Sequence, residues 1–183
     1  MTERGKQMSR ALLIIDMQKF VEDRINKGVH FYPSDAISNM TAVLSQFRNK
    51  QALVAHVVHQ TPDEGSVLHQ DSPFYPVLSD FAPTPDEHVF IKRTSSAFAS
   101  TDLKQYLDEK GISEVVVIGA VAGFCVNSTV RHGSDLGLKM TVVKDAVLSF
   151  DLPDAQREEK NIHDVTMKLL EAGFARMVFA DDC

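Results

Sequence analysis

Tryptophan is absent from this 183-residue chain, and cysteine occurs only twice, at Cys125 and Cys183. Two thiols make no disulfide framework, so the usage fits a reducing compartment and the cytoplasm is the expected location. Basic charge is also short: 19 Lys plus Arg stand against 25 Asp plus Glu, a formal net charge of −6, and no run of five or six like charges interrupts the mixture. A nucleic-acid or anionic-membrane partner needs a concentrated basic face, and neither is expected. Long apolar runs are missing too. The longest, residues 115–126, includes Gly119 and Gly123 and falls well short of the ~20 residues of a spanning helix. Met1 to Arg10 is polar, and only Ala11 to Ile15 precede Asp16, too few for a secretory apolar segment of about 7 to 15 residues.

What is present is an apolar fraction of 44%, enough for one core without disulfide or metal, and residues 1–183 are expected to form a single domain. Short β-branched runs alternate with segments of helical period. The strand candidates are Ala11 to Asp16, Ala52 to Gln60, His88 to Arg93, Glu114 to Val121, Lys139 to Asp145 and Ala175 to Asp181. Most are apolar on both faces, the pattern of a parallel sheet covered on both sides. Between them, Ser34 to Lys50, Ser100 to Lys110 and Asp154 to Ala172 carry apolar residues at helical spacing, with Gly111 and Gly173 where left-handed C-caps belong. The alternation predicts an α/β fold, a three-layer doubly wound sheet. One long connection, Gln60 to Glu87, holds Pro62, Pro73, Pro76, Pro83 and Pro85, and a loop of that length is expected to form a pocket wall or subunit contact.

Ligands of open α/β sheets bind beyond the carboxyl ends of the strands. The first strand ends in Asp16, the third in Lys92, and the fourth runs into a glycine-containing turn with Cys125 and then a helix through Val126, Val130 and Leu136. Each residue taken alone has a plain structural reading: an Asp after a strand caps the next helix, a strand-end Lys is solvated, a lone Cys is a small buried hydrophobe. Together they bring a carboxylate, an ammonium and a thiol to one sheet edge. Such a trio suits nucleophilic catalysis, with Cys125 attacking a carbonyl, Asp16 moving the proton and Lys92 holding the ion pair. A helix N-terminus and a cation are expected to lower the thiol pKa. Backbone N–H groups in the turn would stabilise an oxyanion.

These residues sit in stretches that resemble the isochorismatase-like cysteine hydrolases, the superfamily of nicotinamidase, N-carbamoylsarcosine amidohydrolase and ureidoacrylate amidohydrolase. The likeness covers nearly the whole chain: Ala11 to Gln18 is similar to a hydrophobic strand ending in Asp-x-Gln, Lys92 to Phe98 to the Lys followed by Ser-Ala-Phe, then Thr101 and Leu103, Val117 to Val126 with Thr129 and Gly137 at the matching offsets, and Val142 to Ala146. The resemblance implies six mainly parallel strands in order 3-2-1-4-5-6, the catalytic triad Asp16, Lys92 and Cys125, a cis peptide between Ala120 and Val121, and an oxyanion hole from the Val121 and Cys125 amides. It implies a homo-oligomer, dimer or tetramer. The substrate it points to is a small amide or ureide, cleaved through a thioester; no cofactor is called for.

Two departures stand out. Ala122 and Gly123 occupy positions where the family commonly carries Thr and an acidic residue, and His59-Gln60-Thr61 replaces the Asp-x-His metal pair of nicotinamidases. No metal is expected from the remaining histidines His56, His59 and His69, since His56 and His59, three apart on a strand, face opposite sides. Gln18, Phe20, Phe98 and Phe124 are the candidate pocket walls, the phenylalanines equally readable as core. His132, two turns after Cys125, is expected to be structural. Two other readings stay open: an isochorismatase-type vinyl ether hydrolase, and a binding or assembly member without catalysis.

Overall fold

Side chains on successive residues of a strand point to opposite faces, and strand β1 (Ser9–Ile15) is apolar on both. Leu13 and Ile15 enter one core layer while Leu12 and Ile14 enter the other. The computed structural model describes residues 9–154 and 156–183. In chain order β1 is followed by α1 (Lys19–Asn26), β2 (Phe31–Tyr32), α2 (Ala36–Asn49), β3 (Leu53–His59), β4 (His88–Lys92), α3 (Leu103–Glu109), β5 (Ile112–Ala120), a π-helical turn (Ala122–Val126), α4 (Asn127–Asp135), β6 (Lys139–Phe150), α5 (Glu159–Gly173) and β7 (Ala175–Val178).

The sheet runs β4-β3-β1-β5-β6-β7, all parallel, with β2 antiparallel to the far end of β6. Renumbered for the six long strands, this is the expected 3-2-1-4-5-6. Helices α1 and α2 pack one face through Val21, Met40, Leu44 and Phe47; α3, α4 and α5 pack the other through Leu103, Leu107, Val130 and Leu170. Order reverses between β1 and its neighbours β3 and β5, so the crevice for a ligand opens at the carboxyl ends of those strands.

Several boundaries differ from the sequence reading. Strand β6 does not stop at Asp145 but bulges and continues to Phe150. The polar pair Lys144-Asp145 resembles a strand end, yet Asp145 is satisfied in place, accepting from the Ala180 amide at 2.9 Å and from Asn39 Nδ2 through its carbonyl at 3.0 Å. The last strand ends at Val178, where a 3-10 turn over Ala180–Asp182 begins. Helix α1 has no sequence counterpart; its first amides, Lys19 and Phe20, donate to the carbonyls of Pro76 and Phe74 at 2.8 and 2.9 Å. The proline-rich connection thus supplies the acceptors a short helix needs at its start.

Candidate active site

Asp16 follows β1 directly and takes a left-handed backbone, φ 53°, uncommon for a residue with a side chain. It is not the cap of α1, a position filled by Gln18. The Asp16 amide donates to the Val57 carbonyl at 2.9 Å, which fixes the turn against β3. On the other side Gly119, at φ +127°, lets β5 approach: a Cβ there would lie 2.2 Å from the Ile15 carbonyl oxygen. Lys92 ends β4, in register with His59 at the end of β3. Cys125 lies inside the π-helical turn after β5. The Ala120–Val121 peptide is cis.

These elements converge on the Lys92 ammonium. Its Nζ is 3.0 Å from Asp16 Oδ2, 3.1 Å from Cys125 Sγ and 2.9 Å from His59 Nδ1. An ammonium has three N–H donors, and each has a partner. Sγ is also 3.6 Å from His59 Nδ1. Lys92 is completely buried and Asp16 nearly so, hence the pair is screened little by solvent.

Burial pushes the Asp16 carboxyl up, against the pull of Lys92. The Cys125 thiol is pushed up to about 12, first by burial and then by the Asp16 charge, with Lys92 opposing. This corrects the expectation of a depressed thiol pKa: the cation is present, but the carboxylate beside it and the loss of water outweigh it. At rest Cys125 is held as the thiol, and Asp16 Oδ1 is buried with no hydrogen-bond partner among the described residues.

His59 was not among the catalytic or pocket residues read from the sequence. The signal that could have found it was the strand-end rule itself, since His59 ends β3 as Lys92 ends β4. Asp16, His59 and Cys125 offer ligand atoms within 4.8 Å of one another, a spacing that could hold a metal. The donor set does not fit one, because the Lys92 ammonium stands between all three as the bound cation. His56 points the other way, to Glu87 Oε2 at 2.9 Å, and His69 lies near Asp71.

The pocket candidates separate. Gln18 is wholly buried and its amide is already bonded: Nε2 donates to the carbonyls of His59 and Tyr75 at 3.1 and 2.8 Å, and Oε1 accepts from the His59 amide at 2.9 Å. It is a pin for the end of β3, not a free amide on a pocket wall. Phe20 and Phe98 fill the two core layers; an aromatic after a strand end buries itself unless the backbone turns it out. Phe124, 54% exposed, stands beside Cys125. His132 Nδ1 pairs with Ser96 Oγ at 2.9 Å and its ring meets Phe98 edge-on. The small residue at 123 has a packing reason, as a Cβ there would sit 3.3 Å from Ile162 Cγ2 on α5.

A buried lysine shared by a carboxylate and a thiol, at the switch point of a doubly wound sheet, defines the class to which comparison leads. The isochorismatase domain family model matches residues 10–178, and the chain belongs to the isochorismatase family, a family of hydrolases. The isochorismatase family protein YddQ of Bacillus subtilis is 32% identical over 176 residues, covering 92% of this chain and 94% of its own. Streptothricin hydrolase of Streptomyces noursei is 31% identical over 149 residues and covers 80% of this chain, which spans 52% of that hydrolase. A solved isochorismatase-family structure from Chromobacterium violaceum superposes with a TM-score of 0.88 at 26% identity, over 97% of this chain and 92% of that one.

Proposed function

We propose that the protein is a cysteine amidohydrolase that cleaves the C–N bond of a small amide or ureide through a thioester. The single observation that carries this reading is the Lys92 ammonium within 3.1 Å of both Asp16 and Cys125. Cys125 Sγ attacks the scissile carbonyl carbon while its proton passes to Asp16. The tetrahedral oxyanion collapses, the C–N bond breaks, and Asp16 returns that proton to the leaving nitrogen. Water, deprotonated by the same carboxylate, then attacks the thioester and releases the acid and the thiol. Lys92 keeps Asp16 ionised and stabilises sulfur as negative charge develops on it.

The oxyanion falls to the amides of Val121 and Cys125. The neighbouring amides of Phe124 and Val126 donate to the Val121 carbonyl at 3.0 and 3.4 Å, whereas the Val121 amide, between β5 and the turn, donates to no backbone carbonyl among the described residues. Free donors aimed at a developing charge are what such a step needs. Streptothricin hydrolase among the relatives accords with a hydrolytic role. A cytoplasmic homo-oligomer completes the reading, supported by two free cysteines and by Phe124, Val165 and Leu169, large apolar side chains left more than half exposed. Among the described residues no helix is long and apolar enough to cross a membrane.

The test is release of ammonia or amine from a panel of small amides and ureides in chelated buffer, wild type against Cys125→Ala. Turnover lost with the sulfur supports the reading; equal turnover in the two proteins refutes it, because the amide is then cleaved without the thiol.

A further inference from the structure

His59 is the fourth polar side chain at the candidate site, and the proton transfers assigned to Asp16, Lys92 and Cys125 leave it without a task. Its position is nonetheless built with care. Gln18 binds both its backbone amide and its backbone carbonyl, and its ring reaches from the end of β3 to the Lys92 ammonium.

The hydrogen bond to Lys92 fixes the tautomer. An ammonium can only donate, so Nδ1 accepts and the neutral ring carries its hydrogen on Nε2. Burial, reinforced by the charge of Lys92, holds the imidazole down at about 4, and the ring is neutral at physiological pH. Nε2 has no partner among the described residues and is not among the sealed polar atoms; the side chain is 18% exposed. With Nδ1 3.6 Å from Sγ, the free Nε2–H is a ring's width from the nucleophile. All three Lys92 donors are taken, so among these four side chains Nε2–H is the donor left for a substrate.

We propose that His59 selects the substrate, its Nε2–H donating to a second carbonyl oxygen close to the carbonyl that Cys125 attacks, so that acylureas and related dicarbonyl amides are preferred over simple amides. The acceptor is neutral because these four side chains are so together: the Lys92 charge is matched by Asp16 at 3.0 Å, the thiol and the imidazole carry none, and none of the four offers an unpaired cation to a carboxylate. A carbonyl two bonds beyond the scissile one comes within reach when the carbon under attack sits about 3 to 3.5 Å from sulfur. This inference rests on the amidohydrolase reading and specifies its substrate class.

The experiment compares N-acetylurea with N-ethylacetamide, similar in size and lacking the second carbonyl. Since urea is the better leaving group, the informative quantity is how the ratio of their kcat/KM values changes on substitution. His59→Asn offers Oδ1 to Lys92 in place of Nδ1 but has no distal donor; we expect the ratio to fall about tenfold, the worth of one hydrogen bond. A merely structural role would slow both substrates alike, and an unchanged ratio overturns the proposal. Binding of N-acetylurea to the Cys125→Ala protein, by calorimetry, separates this from the parent reading. Binding that weakens about tenfold on adding His59→Asn upholds His59 even where wild type does not turn over, an outcome that counts against hydrolysis alone. N-acetylurea neither bound nor cleaved overturns the proposal.

Discussion

The Lys92 ammonium faces the Asp16 carboxylate at 3.0 Å with both side chains closed to solvent. Neither charge has water to fall back on, so each is tolerable only because of the other. Removing one partner of such a pair typically costs about 3 to 5 kcal/mol, while replacing both with neutral groups of similar shape is often far milder. Lys92→Met is therefore expected to lower unfolding stability by roughly 3 kcal/mol, and Asp16→Asn combined with Lys92→Met to recover part of it. Urea midpoints of the three proteins check this. A double variant less stable than the Lys92→Met protein would show that the loss does not come from stranding the Asp16 charge.

Proton transfer and thiolate formation should separate at Asp16. After burial, the Asp16 charge is the main influence holding the Cys125 thiol up at about 12. Asp16→Asn removes that influence and the proton acceptor together. The thiolate absorbance of Cys125, followed in a Cys183→Ser background, is expected to titrate below the wild-type midpoint, while amide hydrolysis drops by about 10²- to 10⁴-fold. Lys92→Met shifts the thiol in the opposite sense, since Lys92 lowers it. A thiol that moves up on Asp16→Asn would contradict this electrostatic balance.

That the sheet is parallel and covered on both faces was legible because β1, β3, β5 and the first half of β6 are apolar on both faces, a signal carried by strand composition, whereas the strand order came only with the family resemblance. The convergence of Asp16, Lys92 and Cys125 was legible from strand ends for the same reason. What escaped was whatever depends on a partner distant in sequence. Helix α1 exists because Pro76 and Phe74 lend it acceptors, and β6 continues past Asp145 because Asn39 and Ala180 satisfy that residue. Gln18 is polar and next to the site, yet its amide is committed to His59 and Tyr75. The thiol shift came out opposite in sign, because helix position and a nearby cation are readable in a sequence, whereas the depth of burial against Asp16 is not.

Gly119 is the backbone contact that brings β5 and its turn beside Asp16. A methyl group there would meet the Ile15 carbonyl oxygen at 2.2 Å and the Ile15 nitrogen at 2.7 Å, at a φ of +127° that side chains avoid. Backbone cannot step aside as a side chain can, so Gly119→Ala is expected to cost on the order of 4 kcal/mol and to displace Asp16, which directly follows Ile15. Gly133→Ala is the control: its nearest atoms are Met140 Sδ at 2.6 Å and Phe98 Cε2 at 2.9 Å, ends of side chains, for a cost of about 1 to 3 kcal/mol. Thermal unfolding of both variants ranks them; equal losses would argue against the close approach of β1 and β5.

Acid should loosen the connection between β3 and β4 through Glu87 and His56. Burial raises the Glu87 carboxyl, but two bonds from Arg48 at 2.8 Å, the Thr84 amide at 3.0 Å and His56 at 2.9 Å outweigh it and hold the group at about 2. A depressed carboxylate contributes stability that is complete above its unfolded value of 4.5 and is lost as pH falls toward 2. His56 works in the same direction: burial lowers it from 6.5, so the unfolded chain takes up a proton first and stability begins to fall below that pH. Glu87→Gln removes the first contribution, and the stability gap between wild type and variant, on the order of 2 to 3 kcal/mol near neutrality, is expected to shrink between about pH 5 and about pH 3. Denaturant melts at both pH values measure it. A gap that stayed constant across that window would mean that Glu87 is not held ionised by Arg48 and His56.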